Sequence, residues 1–265
     1  MKAAFENELA AKPLGLVACD VVKNEFLAVM ERRGESFRKE RKEVPGVIPV
    51  FPEYALHANP KEMPAALNAA AAGLAEKGAG RVVLGYGLCS NGTVGVGCPG
   101  GLSMPRCHDC VSMLLGSPAR YMRVFSELPG TLFVSDGWYR NGGTLLDVLE
   151  NKYIPRMGER LAWKGMRLEI QNYKRLCFIV NGVGDVGLAR ERTKESAAAF
   201  GKEYVELAAD LGFFERLLDL ADDPTDIVSL GPGEVVREEF FYRSLSAPAG
   251  PGTAPAPGPE PRASV

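Results

Sequence analysis

The segment PRCHDC, residues 105–110, sets Cys107 and Cys110 around His108 and Asp109 in a chain with only two histidines. Thiol, imidazole and carboxylate groups at this spacing can bind a soft metal, exchange disulfides or supply a nucleophile, and the residue types alone do not choose among these. The same question arises at three other places: Cys19, His57, and Cys89 within GYGLCSNGTVGVG (85–97). In that last segment Gly85 and Gly87 permit tight turns and close backbone approach to a ligand, with Asn91 beside them. Its spacing matches neither G-x-x-x-x-G-K-[ST] nor a G-x-G-x-x-G that opens a helix, so a phosphate cradle is the weaker reading.

The elements that must position these residues are legible as apolar runs. LGLVA (14–18), VIPVF (47–51), RVVLG (81–85), GLSM (101–104), TLFVS (131–135), LCFIV (176–180), EYVEL (203–207) and DIVSL (226–230) read as strands. Helical patterns lie between them at 61–78, 144–163 and 188–202, the second expected to break near Pro155. Strands alternating with helices predict an α/β fold of mainly parallel sheet with helices on both faces, in two Rossmann-like halves over 10–140 and 141–243. Cys19, His57, Cys89 and the His108–Asp109–Cys110 group each fall just past the C-terminal end of a predicted strand. Ligands of open parallel sheets bind at that edge, so the topology predicts one shared site. Trp138, after TLFVS, is placed to wall it.

Each residue also has a plainer reading. Cys177, inside LCFIV, reads as a small core hydrophobe, and Cys98 as an incidental loop thiol. His57 could cap a helix or pack on Pro60, and His108–Asp109 could simply begin the next helix.

The bulk composition excludes some classes. Hydrophobic residues are 46%, charged residues 24% and the net charge −2, so nothing favours nucleic acid or an anionic membrane as partner. The charged run ERRGESFRKERKE (31–43) mixes both signs and reads as a solvated helix end and loop. No apolar run reaches the roughly 18 residues that span a bilayer, and the first twenty residues carry acids where a signal peptide needs an apolar core. A cytoplasmic location is the expectation, where six cysteines serve as thiols or ligands more often than as disulfides. From Ala247 to Pro261 there are six Pro, three Gly and no large apolar side chain, so residues 244–265 are expected to form a disordered tail.

The strings VACDVVKNE, LHANP, GYGLCSNG, PRCHDCVSMLLGS and PGTLFVSDGW, in this order, resemble an uncharacterised family of bacterial and archaeal proteins classed as a domain of unknown function. The resemblance covers 14–138 and extends more loosely to about 235. It implies that Cys19, Glu25, His57, Cys89, His108, Asp109 and Cys110 are the site positions, and that Cys107 is not regularly a cysteine. It also implies a context of corrinoid-dependent methyl transfer for some relatives.

Three cysteines with one or two histidines suit zinc or an iron–sulfur cluster. On this reading Cys19, Cys89 and Cys110 are ligands with His108 or His57 as a fourth, and Glu25, Asp109 or Arg106 act on substrate. Gly85, Gly87, Asn91 and Trp138 would line the cofactor. The expected function is a metalloenzyme or accessory protein of thiol or one-carbon metabolism, possessing a small-molecule thiol or methyl donor or acceptor as substrate and a corrinoid protein as a conceivable partner. Two alternatives stay open. One is a metal-free thiol enzyme with Cys110 as nucleophile and Cys107 or Cys89 resolving; the other is a non-catalytic carrier of metal or cofactor.

Overall fold

The computed structural model describes residues 12–40, 46–184 and 186–242. The expected tail at 244–265 and the end of the charged run at 41–43 lie outside them. All eight apolar runs form strands: β1 Leu14–Ala18, β2 Val47–Val50, β3 Arg81–Gly85, β4 Leu102–Pro105, β5 Thr131–Val134, β6 Arg175–Val180, β7 Glu203–Ala208 and β8 Ile227–Leu230. They build two sheets, one of order β2-β1-β3-β4-β8 and one of order β5-β6-β7. Every pairing is parallel except β4 with β8.

The first sheet is buried on both faces, which is why its central strands read as unbroken apolar runs rather than as alternations. Leu16 of β1 joins a core with Phe26 and Val29 of α1 (Lys23–Glu40) and with Phe213 and Phe214 of α11 (Gly212–Leu218). Its neighbour Val17 faces the opposite core, with Leu67 and Leu74 of α3 (Met63–Glu76). Phe26 meets Phe214 edge to face at 5.0 Å. Pro49 is tolerated in β2 because that strand is an edge of the sheet. In the second sheet Cys177 is fully buried within β6, as a small hydrophobe should be. Ile179 of the same strand belongs to the first sheet's core, so the two sheets share packing.

The sheets do not divide the chain at residue 140. β5 pairs with β6 in the second sheet, and β8 crosses back to close the first. The connection between β5 and β6 is also more segmented than its periodicity predicts. Helix α6 (Asp136–Gly142) leads to α7 (Leu145–Val148), a π turn (Leu149–Tyr153), α8 (Ile154–Met157) and α9 (Glu159–Glu169). The break falls at Gly158, whose φ of 79° is left-handed, while Pro155 sits at the start of α8 where its missing N–H costs nothing. Helix α10 (Gly187–Ala199) follows β6. Among the described residues no helix is long and apolar enough to cross a membrane.

Candidate functional site

Cys19 is the first residue after β1. Its N–H donates to the Gly85 carbonyl at 3.2 Å, and its own carbonyl accepts from Val22 at 3.0 Å. The cysteine thus opens the 3-10 turn Asp20–Val22 that runs into α1. Cys89 lies in the loop after β3, and that loop is tied directly to PRCHDC. Leu88 N–H donates to the Cys107 carbonyl at 2.8 Å and Cys89 N–H to the His108 carbonyl at 2.9 Å. Gly87 makes this approach possible, since a Cβ there would stand 2.8 Å from both Asp109 N and Cys107 O. The Thr93 hydroxyl fastens the loop from below by donating to the Gly87 carbonyl at 3.1 Å.

The backbone of this loop is strained. Cys89, Ser90 and Asn91 have φ of 49°, 55° and 64°, three consecutive non-glycine residues in the left-handed region. Each such residue costs roughly 1–2 kcal/mol, and strain of this kind gathers where function over-determines the backbone.

Cys110 begins the short helix α4 (Cys110–Leu114). Asp109 caps it, its Oδ1 accepting from Val111 N at 3.0 Å and Ser112 N at 3.3 Å, with Tyr121 near the carboxylate. The carboxylate expected to act on substrate is therefore engaged in holding a helix start. Arg106, the other residue of PRCHDC expected to touch substrate, turns its guanidinium to the Phe240 carbonyl in α12 (Glu239–Tyr242). Cys107 is buried and donates to the Asp109 carbonyl at 3.2 Å.

Cys19, Cys89 and Cys110, delivered by three different strand ends, are within electrostatic reach of one another. Burial pushes the Cys19 thiol up to about 11 and raises Cys89 and Cys110 further, and Cys19 adds to the rise at both of the others. The thiols are raised by neighbouring carboxylates as well, Asp20 at Cys19 and Asp109 at Cys89 and Cys110. Three aromatic rings enclose them. The Trp138 side chain packs in the same cluster as Cys110, Tyr54 is raised to about 12 by burial and then by Cys19 and Cys110, and Tyr86 is raised by burial, Cys19 and Cys89. His57 belongs to the same rim: its ring stacks on Tyr54 at 5.5 Å and meets Trp138 edge-on at 4.7 Å. His108 contributes its carbonyl to Cys89, while its side chain sits beside Asp109. Gly85 is required by packing, because a Cβ there would meet the Phe26 ring at 2.5 Å. Asn91 is exposed and supplies the third left-handed residue. Among the described residues no group of three or more His, Cys, Asp or Glu is arranged, as it stands, to hold a metal ion.

Thiols with raised pKa react slowly. In the metal-free protein, iodoacetamide labelling of Cys19 should still be climbing steeply at pH 9, without the plateau that a pKa near 7 would give. Peptide mapping of the labelled protein across pH 6–10 checks this.

Beside the thiols runs a polar seam. Glu25 is 1% exposed; its Oε1 accepts from Asn181 Nδ2 at 2.5 Å, and its Oε2 has no partner. Asn24 and Arg140 both donate to Asp136 Oδ2, at 3.1 and 2.9 Å, and Asn141 donates to Asp20 at 2.8 Å. Asp20, Asn24 and Glu25 follow β1, Asp136 to Asn141 follow β5, and Asn181 follows β6. The seam thus joins the C-terminal edges of the two sheets. Asn181 was not among the expected site residues, although the rule that pointed to Cys19 applies to it, since it directly follows LCFIV.

Burial raises the Glu25 carboxyl above its ordinary value. A raised folded-state pKa means stability that is fully present below the unfolded-state pKa and is lost as pH rises through the folded-state value. Glu25→Gln should remove that loss and stabilise the protein at pH 7, with the difference vanishing near pH 4. Urea unfolding of both proteins at the two pH values measures it.

The chain belongs to the family described as protein of unknown function (DUF1638), whose model matches residues 51–218. No curated protein and no solved structure matches it.

Proposed function

We propose that Cys19, Cys89 and Cys110 hold a thiolate-bound metal centre, and that an iron–sulfur cluster suits them better than a single zinc ion. The observation that carries this reading is the meeting of three thiols from three strand ends, Cys110 buried and Cys19 and Cys89 half-buried, with Cys89 on a loop held in left-handed backbone. Without a counter-charge these thiols stay neutral at pH 7. A bound metal cation supplies that charge and converts them to thiolates.

The choice of cluster rests on size. Three sulfurs around one zinc at 2.3 Å stand about 3.8 Å from each other, whereas the glycine-lined loop that presents Cys89 suits a bulkier cluster. The thiols influence one another's charge, as ligands of one shared centre would. Three protein ligands leave a position open for a substrate thiol or another small donor, the arrangement needed for thiol activation or for electron transfer to a bound substrate. A small-molecule thiol or a methyl donor or acceptor is the substrate class this chemistry serves. The nucleophile reading is disfavoured because Cys110 is buried and its thiol raised, the opposite of an activated cysteine.

Reconstitution separates the readings. The metal-free protein is incubated anaerobically with ferrous iron and sulfide, or with zinc, and then desalted. Retention of iron and sulfide in matched amounts supports the cluster. Retention of zinc alone favours the single-ion centre, and retention of neither contradicts the proposal.

A further inference from the structure

The seam between the two sheet edges contains a carboxylate whose geometry is incomplete. Glu25 Oε2 is buried without a hydrogen-bond partner, while Oε1 of the same group is held by Asn181 from across the seam. This leaves an unpaired lone pair or hydroxyl whichever protonation state the carboxyl adopts, and a buried unpaired polar atom in a native fold calls for an explanation. The surroundings are acidic. Asp136 lies next to Glu25 and Asp20 further along the seam; Arg140 of α6 faces both aspartates and acts on Glu25, and Lys23 of α1 pairs with Asp20 at 3.6 Å, so three carboxylates face two cations. Asn24 and Asn141 already spend their amide N–H groups on these aspartates. In its ionised form Oε2 lacks an N–H donor, and a donor that also carries positive charge would complete it and offset the carboxylates around it.

We propose that this seam binds the primary ammonium group of a small molecule, seated on Glu25 Oε2 and flanked by Asn181 and Asp136. A primary ammonium brings three N–H donors and one charge, which matches an acceptor-rich, net-acidic seam. Asn181 orients the Glu25 carboxyl by holding Oε1, so that Oε2 faces the ligand. The Tyr54, His57 and Trp138 rings at the neighbouring rim offer apolar surface to the rest of the molecule. This inference does not rest on the metal centre, because none of the three cysteines takes part in it.

The test uses the full chain and methylammonium chloride as probe, with sodium chloride at equal ionic strength as reference. A saturable rise in melting temperature beyond the sodium chloride effect is expected, together with at least tenfold weaker binding in Glu25→Gln by calorimetry. Asp136→Asn should weaken binding in the same direction and serves if the Glu25 variant does not fold. Cys110→Ser should bind the probe as the wild type does, so a failed metal centre leaves this result standing. Tetramethylammonium, which has no N–H, should bind at least tenfold more weakly than methylammonium. No saturable effect of methylammonium, an equal effect in Glu25→Gln, or equal binding of tetramethylammonium would each overturn the proposal.

Discussion

Replacing Cys89 or Cys110 by serine should strip the protein of bound metal while Cys98→Ser and Cys177→Ser keep theirs. Serine is nearly isosteric with cysteine but is a hard, weakly acidic oxygen donor, so it cannot replace a soft thiolate on iron or zinc. At least ~100-fold weaker retention is expected for a lost ligand, given that even indirect perturbations of metal sites cost 10–100-fold. The controls lie apart. Cys177 is inside β6, and Cys98 is buried in the core on the α3 face of the first sheet. Cys107→Ser is the informative intermediate, because its thiol is buried beside the site and bonded to the Asp109 carbonyl. Metal content of the five single variants, purified anaerobically in parallel, tests Cys89 and Cys110 as ligands. Equal loading of all five would remove those two cysteines from the account.

The second large effect concerns the joint between the sheets. Gly137, at the start of α6, lies so close to the Cys19 turn that a Cβ would stand 1.7 Å from the Val21 carbonyl oxygen and 2.5 Å from its carbon. Both are backbone atoms, so no side-chain rotation relieves the clash. Gly137→Ala should destabilise the protein by about 3 kcal/mol or more, at or beyond the upper end of ordinary overpacking. It should also displace Trp138 from Cys110 and the Cys19 turn from the site, lowering metal retention in the fraction that folds. Denaturant unfolding and metal analysis of the same preparation read both effects. An alanine variant of unchanged stability would mean the two sheet edges do not meet as described.

Much of this was legible in the residues themselves. All eight strands follow from apolar runs, and the convergence of Cys19, Cys89 and Cys110 follows from each lying just past a strand in a parallel sheet. Other features depend on contacts between distant segments. The antiparallel return of β8 to β4 reverses the expected partition of the chain, since nothing in DIVSL distinguishes an edge strand of the first sheet from a strand of the second. The left-handed run at Cys89–Asn91 is visible only as backbone, because Cys and Ser give no warning of it and Asn only a weak one. Asp109 shows the opposite case. An Asp directly before CVSML reads as a helix cap from sequence, and that plainer reading describes what its carboxylate does. Glu25 was expected at the site on resemblance alone; its orphaned oxygen and its partner Asn181, 156 residues away, emerge only when the second sheet is in place.

The most direct test of the metal-centre proposal is iron, zinc and acid-labile sulfide analysis, with an absorption spectrum, on untagged protein purified without oxygen. The account predicts iron and sulfide in matched amounts, several per chain, with a broad visible absorption that disappears on exposure to air. Protein that is colourless, metal-free and unable to take up iron or zinc under reducing conditions would contradict it.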